Sequence, residues 1–283
     1  MRRDPLAGLS ELAGVAPALA HARAAVDDAY RHPVLRRRGG EVAAEVSLPA
    51  AVASAALAGS RYEVAEVRAG TVLDPVLHGA VRCAEELPGL VDRWPRAPRQ
   101  VLARLHLLAA RGVVDPAALG RPVPDPAVRA RLDALVELVL AAGQPGLLRA
   151  AVVHGELLAL RAFPGPYGVV ARAAGRLELM ASGLDPRGLV ATDPAHLARE
   201  PEYVGAARAF ATGTPDGVRA WLRHCAAAVV SGAGELVAIA DGLPPPARGL
   251  RRPGSRPAGQ PGPVGGGPVG GGPGGGGPAG RCQ

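Results

Sequence analysis

The sequence predicts an all-α bundle, and three observations carry that prediction. Apolar residues recur at three-to-four spacing in one segment after another between residues 99 and 242. Glycine and proline stand where those periodic runs begin and end. Strand-like alternation is confined to one short stretch, Arg61 to Val67, which reads as a short strand or hairpin arm.

In the N-terminal part, to about Gly70, Leu6, Leu9 and Leu12 suggest a first helix broken at Pro17. Ser47-Leu48-Pro49 suggests the start of another that runs to about Ala58. Arg99 to Arg111 is a short amphipathic helix with Leu102, Leu105 and Leu108 inward and Gly112 as its stop. Asp125-Pro126 is an N-cap followed by a first-turn proline. Val128, Leu132, Leu135, Val136 and Val139 then share a face, and Gly143 supplies the stop. From about Gly146 to Leu160 the apolar residues run nearly all round, which marks a central, buried helix. A further helix runs from about Gly168 to Ser182 and ends at Gly183. The last starts at Thr214-Pro215-Asp216, presents Val218, Trp221, Leu222, Cys225 and Val229 inward, and closes at Gly242.

Of 283 residues, 48% are hydrophobic, enough for a sizeable core. The alphabet has no Lys, no Asn and a single Ile (Ile239), so Arg-for-Lys and Ala-for-larger choices say little about function. The net charge of +7 includes five arginines beyond Gly242 with no acid among them, which leaves the body near +2 and without a nucleic-acid footprint. Residues 244–283 are Pro, Gly and Arg with little to bury and read as a disordered tail, one that can meet nucleic acid only nonspecifically. The implied organisation is an N-terminal helical segment (1–70), a core domain (71–243) and the tail. Cys83, Cys225 and Cys282 have neither ligand nor redox spacing. No uncharged apolar run reaches 18 residues, so neither a membrane span nor a membrane partner is expected, and the chain reads as cytoplasmic.

The most informative stretch is Arg161-Ala162-Phe163-Pro164-Gly165-Pro166-Tyr167-Gly168-Val169-Val170-Ala171-Arg172. It resembles the signature loop of the Fic/Doc (Fido) family, His-Pro-Phe-x-acid-Gly-Asn-Gly-Arg-x-x-Arg. Phe163, Gly168 and Arg172 match. The His, acidic, Asn and first Arg positions hold Arg161, Gly165, Tyr167 and Val169. The lead-in, Ala150-Ala151-Val152-Val153-His154-Gly155-Glu156-Leu157-Leu158-Ala159-Leu160, also resembles the family's Ala-Ala-x-x-His helix. Ser54-Ala55-Ala56-Leu57-Ala58-Gly59 looks like its inhibitory motif, Ser/Thr-x-x-x-Glu-Gly/Asn, with Ala58 where the glutamate stands.

The resemblance implies a Fic-like helical bundle and a family chemistry that moves a nucleotide monophosphate or phosphate onto a hydroxyl. It also implies what this chain lacks. Arg161 cannot accept the proton that the family histidine takes. Gly165 offers no oxygen to Mg²⁺, which the family acid holds. Val169 carries no charge for phosphate, and Pro164 and Pro166 remove two N–H donors from the loop. Arg172 leans back toward the start of its helix, where it can reach an anion or pair internally. Arg161 can join it as a second positive group, or complement a helix dipole in solvent. Phe163 is expected to plug the loop into the core and His154 to be a hydrogen-bonded core histidine. The other histidines (His21, His32, His78, His106, His196 and His224) are scattered, without metal-ligand spacing. The expected function is a catalytically degenerate module that binds an unidentified protein partner, or ATP weakly, and needs no cofactor. The alternative is an active transferase of AMP or phosphate, which would use ATP and Mg²⁺.

Overall fold

The computed structural model of the chain describes residues 6–141 and 146–244. Among them are twelve α-helices and no strand: α1 (Ala7–Ser10), α2 (Val15–Tyr30), α3 (Val34–Ala56), α4 (Val64–Arg68), α5 (Pro75–Leu90), α6 (Pro98–Ala110), α7 (Pro126–Leu140), α8 (Gly146–Leu160), α9 (Tyr167–Ala181), α10 (Asp193–Ala198), α11 (Glu200–Ala211) and α12 (Pro215–Gly242). The expected tail, and Gly143 as the stop of α7, lie outside the described residues.

Helix starts follow local chemistry. Asp74, Asp125 and Thr214 each accept a hydrogen bond from a backbone N–H of the first turn and precede a proline at N1, where the missing N–H costs nothing. Gly112 and Gly183 adopt positive φ just beyond α6 and α9, as their sequence positions suggest.

Three expectations for the N-terminal part are corrected. The stretch 61–67 is no hairpin arm: Val64–Arg68 is a helical turn, and the Glu63 N–H donates to the Glu66 carboxylate at 2.8 Å. That local bond offers the backbone a cap that alternation alone does not reveal. Pro17 does not break a helix, because it is the third residue of α2, where no intrahelical acceptor exists for an N–H. Pro49 does not start a helix, since α3 runs through it and kinks instead at Arg38. Residues 50–56 are buried all round, with α3 packed on α5, α10 and α12, and that burial outweighs one lost backbone bond.

The core sits on α8 and α9, which pack along each other. One side joins them to α5, α6 and α7 through Leu77, Leu87, Trp94, Leu102, Leu105 and Leu177. On the other, Leu148, Phe210, Trp221 and Leu222 fill the contact with α11 and α12. α12 is long and apolar enough to cross a bilayer, yet it packs along α2 and α11. Glu178 of α9, fully buried, accepts from Trp94 Nε1 and Arg149 Nε, each at 2.6 Å, and so ties α8 and α9 to the turn after α5. This frame holds the α8–α9 loop in place.

Candidate functional site

α8 ends at Leu160, and Arg161 turns the chain at φ +45, the one non-glycine residue with positive φ among those described. The next two residues face inward: Ala162 and Phe163 are buried, with the Phe163 ring 4.9 Å from that of His106. His106 acts as a clip. Its Nδ1 accepts the Gly120 N–H at 3.0 Å, so a neutral ring carries its proton on Nε2, which donates to the Pro164 carbonyl at 2.9 Å. Burial pushes the His106 pKa down, in keeping with a neutral imidazole. The Val123 N–H donates to the Ala162 carbonyl at 2.9 Å, so the α6–α7 connection backs the loop on two sides.

Gly165 stands at φ +75, and a Cβ there would lie 2.7 Å from Val114 Cγ1. Backbone conformation and space both disfavour a side chain there. The Tyr167 N–H donates to the Gly165 carbonyl at 2.8 Å and the Val169 N–H to that of Pro166 at 3.0 Å, so backbone donors at the start of α9 are taken up within the loop. Val169, where a guanidinium was lacking, is a core residue at 1% exposure.

Arg172 is buried, at 3% exposure, and points back across the start of α9. A Cβ at Gly168 would come within 3.1 Å of its Nη1. Its Nε donates to Ser54 Oγ at 2.8 Å, Nη2 to the Ser54 carbonyl at 2.7 Å and Nη1 to the Tyr203 hydroxyl at 3.3 Å. Asp193 Oδ1 lies 3.6 Å from Nε, and Oδ2 lies 3.9 Å from Nε of buried Arg176. The internal partner that sequence left open is therefore mainly Ser54, with Asp193 as counter-charge.

In front of Arg172 is a cavity of about 430 Å³. Arg161, Tyr167, Gly168, Arg172, Tyr203 and Arg208 line it, along with Ala58 and apolar residues of α8 and α11; no acidic residue does. Arg161 is exposed, its Cζ 5.2 Å from the Tyr167 ring centroid. The structure thus brings together Arg161, Gly168, Arg172 and Ala58, with Ser54 directly behind. Gly59, at φ +98, lies in the turn that follows α3, next in sequence to Ala58, and is not among the residues lining the cavity. Phe163 and His154 lie beneath, in the core.

Sequence reasoning missed the wall behind Arg172. His154, His196 and His224 sit on three different helices and meet there with Tyr203 and Trp221. His154 Nε2 and the Tyr203 hydroxyl are 2.9 Å apart. His196 Nδ1 and His224 Nε2 are 3.0 Å apart, and His224 Nδ1 donates to the Glu202 carboxylate at 3.1 Å. The His196 ring stacks on Tyr203 at 4.6 Å. Burial holds His154 and His196 well below the usual histidine range, with the Arg172 charge adding to it, and pushes the Tyr203 phenol up to about 12. No local spacing signals this cluster, because its histidines lie 28 or more residues apart and α10 and α11 are short. Among the described residues no group of three His, Cys, Asp or Glu is arranged to hold a metal ion.

No protein-family model matches the sequence, and no curated protein matches it. Solved structures do match. A Fic family protein from Desulfovibrio desulfuricans G20 superposes with a TM-score of 0.65 at 18% identity, over 78% of this chain and 74% of that one. Fic-1 (residues 134–508) from C. elegans gives a TM-score of 0.62 at 18% identity, over 79% and 72%. The chain has the Fic fold. At this identity the likeness is one of architecture, and within the Fic fold the α8–α9 loop described above is the stretch whose sequence resembles the family signature.

Proposed function

We propose that this Fic-fold chain is a binding module that has lost transfer chemistry and acts by holding a protein partner, with room for a weakly bound nucleotide or related anion. The observation that carries this reading is the state of the α8–α9 loop. A guanidinium, Arg161, stands where the resemblance calls for a proton acceptor, and it cannot serve as one at physiological pH. Val169 is buried apolar surface where a phosphate contact was called for. Arg172, the one motif cation retained, is committed to Ser54 and Tyr203. Loss of a general base alone typically lowers a rate about 10²–10⁴-fold, and here the other contributions are missing too.

The test is incubation with labelled ATP and Mg²⁺ in a lysate of candidate protein acceptors, with Arg172→Ala as control. No incorporation above the control is expected, from the wild type or from Arg161→His, since one imidazole leaves Gly165 and Val169 as they are. Robust labelling that disappears with Arg172→Ala, in a variant that keeps the wild-type helical circular dichroism, would establish the transferase alternative instead.

A further inference from the structure

The residues facing the cavity do not fit the divalent cation that a nucleotide-transferring Fic site implies. A hard cation wants carboxylate or carbonyl oxygens, and no Asp or Glu lines this cavity. The backbone agrees with that lack: Gly165 is at φ +75, and a side chain there would be strained and would displace Val114. Asp193, the acid nearest Arg172, is 3% exposed in its side chain and faces Arg172 and Arg176. What does line the cavity is positive, namely Arg161, Arg172 and Arg208.

These three cations are not equivalent. Arg172 has its Nε and both terminal nitrogens engaged by Ser54 and Tyr203. Arg161 and Arg208 are exposed, and neither has an acidic partner among the described residues. Tyr203, Val204, Ala207, Arg208 and Ala211 all line the cavity, and their three-to-four spacing puts them on one face of α11. Arg208 thus faces the cavity from α11, and Arg161 faces it from the end of α8. The Tyr167 ring beneath Arg161 limits how far its guanidinium wanders. Leu57, Ala58 and Leu158 supply apolar surface beside these charges.

We infer that the cavity takes an organic anion without a metal ion, its charged group held by Arg161 and Arg208 and its body laid against Tyr167 and the apolar surface. The inference deepens the binding reading above and rests on it. A guanidinium needs no cation to bridge it to a phosphate or carboxylate, since its planar donors meet two anionic oxygens directly. Divalent cation bound to a nucleotide would neutralise two of its negative charges and weaken its attraction to walls that carry only positive ones.

The experiment is calorimetric titration of the full chain with ATP in EDTA, with ATP in excess Mg²⁺, and with AMP in EDTA. It is run on the wild type, Arg161→Ala, Arg208→Ala and, as a charge control away from the cavity, Arg36→Ala. The expected result is ATP binding in EDTA at least as tight as in Mg²⁺. Arg161→Ala and Arg208→Ala should each weaken it about tenfold, the usual effect of losing one charge-assisted contact, while Arg36→Ala leaves it unchanged. Binding that requires Mg²⁺, binding indifferent to both cavity substitutions, or no binding overturns the inference. Absence of binding still leaves the protein-partner reading standing. Transfer of label to a protein would sink that reading whatever the metal dependence, so the two failures are distinguishable.

Discussion

Arg172 closes onto Ser54, 118 residues earlier in the chain, donating to its hydroxyl at 2.8 Å and to its carbonyl at 2.7 Å. The pair joins α3 to α9, and both partners are buried. Arg172→Ala should cost about 3–5 kcal/mol, because it strips buried Asp193 of its main counter-charge. Ser54→Ala removes one bond to a charged donor and should cost about 1.5–3 kcal/mol. Urea denaturation midpoints of the two variants would check both the order and the size.

Ala58 lines the same cavity as Arg172 and stands at the position where the resembling motif has glutamate. The fold should tolerate Ala58→Glu, since Ala58 lies beyond the end of α3 and is exposed. The introduced carboxylate would compete for the cavity's guanidinium groups. Anion affinity in the titrations above should fall at least about tenfold, with an unchanged melting temperature. Unchanged affinity would show that a carboxylate at this position cannot reach those groups.

The histidine cluster predicts an acid-sensitive fold. His154 and His196 stay neutral in the folded chain because burial depresses their pKa, whereas unfolded histidines protonate near pH 6.5. Below that pH the unfolded state binds more protons than the folded state, so stability rises with pH and is lost as pH falls. The limiting slope is about 1.4 kcal/mol per pH unit for each such histidine. His224 contributes less, because the Glu202 carboxylate opposes its depression. Urea midpoints should therefore drop between pH 7 and pH 5, and a flat profile would mean that the cluster accepts protons while folded.

Gly155 lies where α8 meets α11 and α12. A Cβ there would fall 2.7 Å from Trp221 Nε1 and 2.8 Å from Phe210 Cε1. Trp221 cannot retreat freely, since its Nε1 donates to the Ala151 carbonyl at 2.8 Å. Gly155→Ala should destabilise by about 1–3 kcal/mol despite alanine's better helix propensity. Thermal unfolding would read this directly. A stabilised variant would mean that the rings give way more readily than the packing suggests.

Local signals determined a good part of this protein. Asp125-Pro126 and Thr214-Pro215 start helices because a side-chain oxygen and an N1 proline act within one turn. The all-round apolar run of α8 marked it as a central, buried helix, and it is one. The loop from Arg161 to Arg172 showed which side chains stand at each position before any geometry was known. Tertiary structure alone decided what those side chains do. Whether Arg172 faces an anion or an internal partner depends on where α3 passes, and Pro49, read as a helix start, gave no correct guide to that path. The cluster of His154, His196, His224 and Tyr203 joins residues from α8, α10, α11 and α12. Arg208 becomes a cavity residue only through the packing of α11 beside the α8–α9 loop. The physical reason is range. Caps and periodicity act over one or two turns of chain, whereas a buried polar group takes whatever partner the packed core brings to it.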